Sequence, residues 1–157
     1  MTFFFVIVGG LSLHARLLDG LDGFVLSWFL SDDTRYANGY SDEGFRKVAR
    51  GMTPLEVVAL IGRPIAQSWT YERDGREPLV MFFNQDGQLR HVSGQDKSEH
   101  AIPALNSDAA SVLTELGRPT WIAYRYTESP TDSHYRVRSL VFKNDVVQRT
   151  VSEFWWD

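Results

Sequence analysis

The amino acids that most often carry out catalysis are few in this chain, and their spacing does not suit it. The chain has four histidines, His14, His91, His100 and His134. No two of them have the helical i,i+4 spacing that pairs metal ligands, and Ser133 beside His134 does not make a catalytic triad, because adjacency does not produce the geometry. Cysteine is absent, which excludes thiolate nucleophiles, thiolate metal sites and lipid attachment through sulfur. The sequence therefore predicts no catalytic residue, no metal site and no cofactor.

The composition is that of an ordinary globular chain. Of the 157 residues, 43% are hydrophobic and 23% are charged, which suits one domain or two small halves that share a core. The net charge of −4 argues against a nucleic-acid partner, whose binding surface would need clustered Lys and Arg. Aromatic residues make up 13%, enough to fill a core and leave some for a contact surface.

One short motif occurs twice and indicates how the chain is organised. Gly62-Arg63-Pro64 is followed by Gly117-Arg118-Pro119, and the two copies are separated by a constant offset in the numbering (117 − 62 = 55). Apolar residues precede both copies and aromatic residues follow both. A repeat of this length predicts one supersecondary unit used twice. We therefore expect an N-terminal segment over residues 1–40, a first repeat over 41–95 and a degenerate second repeat over 96–157.

Helix signals open the first repeat, and strand signals follow. Ser41 can cap a short helix over Asp42–Arg50, and Thr53 can cap a second helix that ends at Gly62, with Glu56 completing a capping box. After Gly62-Arg63-Pro64, apolar and polar residues alternate with a period of two, which is typical of strands. Strands are predicted around Trp69–Tyr71, over Leu79–Phe83 and over Gln88–Val92.

The second repeat is predicted to lack a regular first helix. Its remaining helix covers Ala109–Leu116, capped by Ser107 or Asp108. Its strands are predicted over Thr120–Tyr126, Tyr135–Phe142 and Val146–Phe154, with a long loop over Thr127–His134. The expected fold class is therefore α+β: two tandem repeats of short helices followed by an antiparallel β-meander, with the helices packed on one face of the sheet.

The N-terminal segment over residues 1–40 leaves several readings open. Phe3–Leu13 is an uncharged run about half as long as the roughly 20 residues that span a bilayer. It suits a signal peptide, a membrane anchor truncated at its start, or an apolar end packed on the fold. Leu17–Leu30 has helical periodicity, which predicts an amphipathic helix packed on its own domain or lying at a membrane surface. Ser31–Gly39 is interpreted as a linker.

Two motifs and the turn before them carry a family resemblance. The pattern begins with a turn at Gly51-Met52-Thr53. A helix with an early Glu56-Val57 pair follows, and it ends at Gly62-Arg63-Pro64. This pattern resembles the SmpA/OmlA family, the BamE-like proteins of bacterial envelopes, over about Ser41–Val92. Paired units of this kind are similar to the β-lactamase-inhibitor-protein fold, in which two repeats build one curved sheet. The resemblance implies an envelope protein, periplasmic or membrane-associated, that binds other proteins and has no catalytic residues; the chain differs from lipoprotein members by lacking a cysteine.

The period of the strands divides their side chains between two faces of the sheet. Those predicted to face the helices are Trp69, Tyr71, Leu79, Met81, Phe83, Ile122, Tyr124, Tyr126, Leu140 and Phe142. The candidate protein-binding residues point the other way: Val80, Phe82, Trp121, Arg125, Tyr135, Val137 and Val141. Aromatic residues grouped with arginine are typical of interface centres. The same face could instead be solvated or covered by the N-terminal helix.

These observations lead to one hypothesis and one alternative. The hypothesis is a non-enzymatic envelope protein whose helix-free sheet face binds another envelope protein, and whose N-terminus could associate with a membrane. The alternative is a carrier that holds a small molecule or lipid between the sheet and the helix over Leu17–Leu30. In either case Phe154-Trp155-Trp156 is expected to dock on the body of the protein or on a partner, because three adjacent aromatic rings are costly to leave in water.

Overall fold

The computed structural model describes residues 19–20, 23, 25–26, 32–94, 103–131 and 134–155. Helix α1 covers Asp42–Lys47, α2 covers Pro54–Ile61 and α3 covers Ala109–Leu116. The strands are β1 (Arg35–Tyr36), β2 (Ala66–Tyr71), β3 (Leu79–Asn84), β4 (Leu89–Ser93), β5 (Trp121–Arg125), β6 (Thr127–Glu128), β7 (Tyr135–Lys143) and β8 (Val146–Trp155). Six strands form one antiparallel sheet in the order β4-β3-β2-β5-β7-β8, and β1 pairs with β6. The predicted α+β class is confirmed.

The two halves of the sheet have the same order of elements. Helix α2 precedes β2, β3 and β4, and helix α3 precedes β5, β7 and β8. The offset of the repeated motif also separates the starts of α2 and α3 (109 − 54 = 55) and the starts of β2 and β5 (121 − 66 = 55). The two central strands, β2 and β5, pair with Ser68 opposite Ala123, whose numbers differ by the same offset (123 − 68 = 55). At the centre of the sheet, residues separated by the offset of the motif thus lie directly opposite each other.

The turn before each of these two helices pairs with the edge strand of the opposite half. Gly51-Met52, before α2, exchanges backbone hydrogen bonds of 2.9 and 2.8 Å with Val147 in β8. Asn106-Ser107, before α3, does the same with Leu89 in β4, at 2.8 and 2.9 Å. Gly51 and Asn106 both have positive φ, 94° and 70°, and Asn tolerates this conformation better than most other residues. Asn106-Ser107 thus occupies in the second half the position of the Gly-Met pair.

The hydrophobic core lies between the sheet and the described helices. One buried cluster joins Phe45 and Val57 of the helices to Leu140 and Phe142 of β7. A second cluster joins Val112 of α3 to the inward side of β2, β3 and β4. The ten inward positions predicted from the period of the strands are buried or half-buried in these clusters. Helices α1, α2 and α3 therefore all cover the same face of the sheet.

The capping box predicted for the second helix is confirmed. The Thr53 side chain accepts a hydrogen bond from the Glu56 backbone N–H at 3.3 Å, and the Glu56 carboxylate accepts one from the Thr53 backbone N–H at 2.7 Å. Thr53→Ala should lower the free energy of unfolding by about 1 kcal/mol, because one helix N–H loses its acceptor. Urea denaturation measures this change. Thr114→Ala is the control, since its hydroxyl only bonds back to Ala110 within α3; equal losses in both variants would contradict a capping role.

Several elements differ from the sequence-based expectation. The first helix ends at Lys47 rather than Arg50, because Val48 already has extended backbone. The predicted linker and the predicted long loop each contain a short strand, β1 and β6, which pair with each other. The N-terminal segment thereby joins the second half of the chain. Apart from residues 19–20, 23 and 25–26, the predicted helix over Leu17–Leu30 lies outside the described residues, as do residues 95–102 before α3.

Candidate protein-binding surface

The structure places all seven candidate residues on the helix-free face of the sheet, called here the outer face. Val80 and Phe82 alternate with buried positions of β3, and Trp121 and Arg125 are outward on β5. The remaining three, Tyr135, Val137 and Val141, are half-buried on β7. None of the seven belongs to either buried hydrophobic cluster of the described residues. Their role in binding a protein stays a prediction.

A groove of about 510 Å³ lies at the end of the outer face where β2 begins and β5 ends. Small side chains from three neighbouring strands form its floor: Ala66, Ser68, Ala123 and Ser139. Phe82, whose side chain is 41% exposed, and Arg125 also line the groove. This volume lies within the range of roughly 300–1,000 Å³ that is typical of ligand pockets. Two of the seven predicted residues therefore border a concave site, and the small residues beneath it were not predicted.

Trp121 closes the opposite end of the outer face with its own side chain. The indole Nε1–H donates to a carboxylate oxygen of Glu72 at 2.9 Å. The Lys143 ammonium lies 4.4 Å from the centre of the Trp121 ring, in a cation–π contact. Trp121 is therefore held in place within the molecule and is half-buried. Phe82, whose ring centre lies 5.6 Å from that of His91, is the more exposed of the two.

Each Gly-Arg-Pro motif lines a smaller pocket near the end of the sheet. Arg118 lines one of about 320 Å³ and is paired with Asp145 at 2.5 Å. Arg63 lines one of about 290 Å³ together with Asp86, at the corresponding place in the first half. No ion pair between Arg63 and Asp86 occurs in the described part of the chain. The two pockets thus differ in charge: within the described residues, one is neutralised by its own ion pair and the other presents a separate cation and anion.

A buried ion network joins the N-terminal segment to the core, and sequence reasoning missed it. Arg138 in β7 is fully buried, with its Nη1 2.6 Å from an oxygen of Asp19 and its Nε 3.5 Å from Asp42. Arg136 bonds Asp19 at 3.0 Å and Asp32 at 2.8 Å. Burial alone would lower the pKa of Arg138, but the hydrogen bond and charge of Asp19 raise it above its usual value. The sequence pattern that could have indicated this network is a pair of arginines at alternate, inward positions of a strand.

This network also bears on what covers the outer face. Asp19 bonds two arginines whose positions in β7 point toward the helices. Gly23 is buried, and a Cβ added to it would lie 3.0 Å from Phe154, an inward residue of β8. The described part of the N-terminal segment therefore packs on the helix side of the sheet. Its contacts leave the outer face open at the positions that the structure describes.

The C-terminal aromatic residues divide between the two faces of β8. Phe154 is buried on the helix side, as expected for a ring that docks on the body of the protein. Trp155 is 49% exposed and lies opposite Tyr135 on the outer face. Trp156 lies outside the described residues. Trp155 therefore adds an exposed aromatic ring to the outer face, although the sequence analysis did not include it among the candidates.

The described residues contain no group of three or more His, Asp and Glu side chains that could hold a metal ion. Over the same residues, no helix has the length and apolar character needed to cross a membrane. No family model, curated protein or solved structure matches this chain. Any assignment of function therefore rests on the geometry above and on the resemblance carried by the motifs.

Proposed function

We propose that this chain is a non-enzymatic protein-binding module of the bacterial envelope, which engages another envelope protein through the outer face of its sheet. The observation that carries the proposal is the asymmetry of the sheet. Helices α1, α2 and α3 cover one face, while the other presents a groove and exposed aromatic rings. Concave apolar surfaces with aromatic and arginine side chains are typical of interface centres.

The proposal includes a tandem origin for the two halves. Three features repeat at the same offset: the bounds of the helices, the start of the central strands, and the positive φ of the turn residues Gly51 and Asn106. Gly62 and Gly117, which end α2 and α3, have nearly the same backbone angles as well. These features support two copies of one helix-plus-meander unit. Two copies placed side by side make a sheet wide enough to serve as a binding surface.

The envelope location and the BamE-like role rest on the motif resemblance alone. The capped helix between Thr53 and Gly62, which joins the turn to the Gly-Arg-Pro exit, supports this part of the proposal. In that reading the partner is a protein of the same compartment, and the module acts as a scaffold rather than as a catalyst.

Site-specific photo-crosslinking in native cells tests the proposal. A benzophenone amino acid replaces Phe82 on the outer face in one variant and Leu113 on α3 in another; both positions are 41% exposed, so access of the probe is matched. We expect a discrete crosslinked protein from the Phe82 position and none from Leu113. The reason is that the proposal places the partner on the outer face and not on the helices.

The crosslinked species identifies the partner and checks the compartment. An envelope protein recovered from the Phe82 position, and from a second probe at Val137, would support the proposal. Equal labelling from Phe82 and Leu113, or no labelling from either outer-face position, would contradict it. A crosslinked protein of the cytosol would contradict the envelope assignment while leaving the binding face in place.

A further inference from the structure

Matched positions in the two halves carry side chains of very different size on the outer face. Ala66 begins β2 and Trp121 begins β5, at the offset that relates the halves (121 − 66 = 55). Across the central pairing, Trp121 lies opposite Thr70, whereas Ala66 lies opposite Arg125. The Trp121 ring therefore occupies one end of the outer face. At the other end the matched residue is Ala66, whose side chain is only a methyl group, and a groove of about 510 Å³ remains there.

We propose that this groove receives an aromatic side chain of the partner protein, which fills it much as Trp121 fills the matched place in the other half. The inference deepens the proposed function and rests on it. The floor of small residues allows a flat ring to approach the sheet, and Phe82 provides an aromatic wall. A buried aromatic anchor is a frequent centre of a protein interface.

The charged groups around the groove suit the same guest. The Arg125 side chain is exposed and makes no hydrogen bond or ion pair with any described residue, so its guanidinium is free to lie over an inserted ring. Lys143 makes the corresponding contact with Trp121, at 4.4 Å. Glu128 also lines the groove, and its carboxylate can accept a hydrogen bond from an indole N–H or a phenol O–H, as Glu72 does from Trp121. The chemistry of the groove thus selects Trp or Tyr over an aliphatic residue.

Nuclear magnetic resonance with N-acetyl-L-tryptophanamide as the probe tests the inference on the full chain. We expect saturable shifts of the backbone amides of Ser68, Ala123 and Ser139, with weak affinity because a single side chain has few contacting atoms. N-acetyl-L-leucinamide should produce smaller shifts at the same amides. Arg125→Ala should weaken binding of the tryptophan probe by roughly two- to fivefold, the usual size of an exposed cation–π contact.

Ala66→Trp is the decisive variant, because the fold already holds a tryptophan at the matched position Trp121. It should fill the groove, abolish the probe shifts and leave the spectrum of α2 and α3 unchanged. Ala123→Leu, which raises the floor, serves as a second blocking variant in case Ala66→Trp does not fold. Leu113→Ala, at an exposed position of α3 outside the lining of the groove, is the control and should bind the probe as the wild type does.

The outcomes separate this inference from the proposed function. Loss of the Phe82 crosslink to the partner in the Ala66→Trp variant supports the aromatic anchor. A crosslink of unchanged yield in that variant would overturn the inference of an aromatic anchor but would leave the proposed binding face in place. Probe shifts that fail to saturate, or that persist in both blocking variants, would have the same meaning. Absence of any crosslink from the probes at Phe82 and Val137 in a chain with no other substitution would instead overturn the proposed function.

Discussion

Asp19→Ala should reduce the free energy of unfolding by about 3–5 kcal/mol, the usual result of removing one partner from a buried ion pair. Arg138 has no exposed side-chain surface, and its shortest ion pair is the 2.6 Å contact with Asp19. After the substitution its nearest remaining carboxylate is Asp42, at 3.5 Å. The guanidinium would then be buried with too little compensating charge. Chemical denaturation of the full chain measures the loss.

Two companion variants separate this effect from general damage. Adding Arg138→Met to Asp19→Ala should recover part of the loss, because the uncompensated charge is removed while the volume is kept. Arg118→Ala breaks an ion pair whose side chains are 82% and 55% exposed, and it should change stability by no more than about 1 kcal/mol. An Asp19→Ala variant as stable as the wild type would mean that the N-terminal segment does not dock on β7 in solution.

Helix α3 shows what local sequence signals can determine. Its bounds, Ala109–Leu116, are those predicted, because Asp108 caps the first turn and Gly117 ends the last one. Both signals act within a few residues and need no tertiary partner. The outward direction of Phe82 was equally accessible, since alternation along a strand follows from backbone geometry. These are the parts of the fold that the sequence specifies locally.

The parts that were missed depend on which distant strands meet. Strands β1 and β6 have two residues each and pair with each other, with Arg35 opposite Glu128 and Tyr36 opposite Thr127. Arg138 at an inward strand position gives no local sign that Asp19 will reach it from the far end of the sequence. The groove likewise requires Ala66 to lie opposite Arg125. Only the size difference between Ala66 and Trp121 was readable in advance, from the offset of the repeated motif.

Gly62→Ala should be among the most destabilising single substitutions in the chain, and Gly117→Ala provides a matched control. Both glycines end a helix in nearly the same backbone conformation, with φ 79° and ψ −176° at Gly62 and φ 75° and ψ −164° at Gly117. That region is almost restricted to glycine, and forcing another residue into it costs about 1–3 kcal/mol. Both variants should therefore lose stability through backbone strain.

The two positions differ in what surrounds them, and this difference carries the second part of the expected effect. A Cβ at Gly62 would lie close against the backbone oxygen of Asn38, in severe overlap, whereas a Cβ at Gly117 would meet nothing within 4 Å. Relieving such an overlap requires a backbone shift, which typically adds about 1–3 kcal/mol. Gly62→Ala should thus exceed Gly117→Ala by about that amount in urea denaturation. Equal losses would show that the backbone around Asn38 moves aside easily, and that its packing against the end of α2 contributes little to the fold.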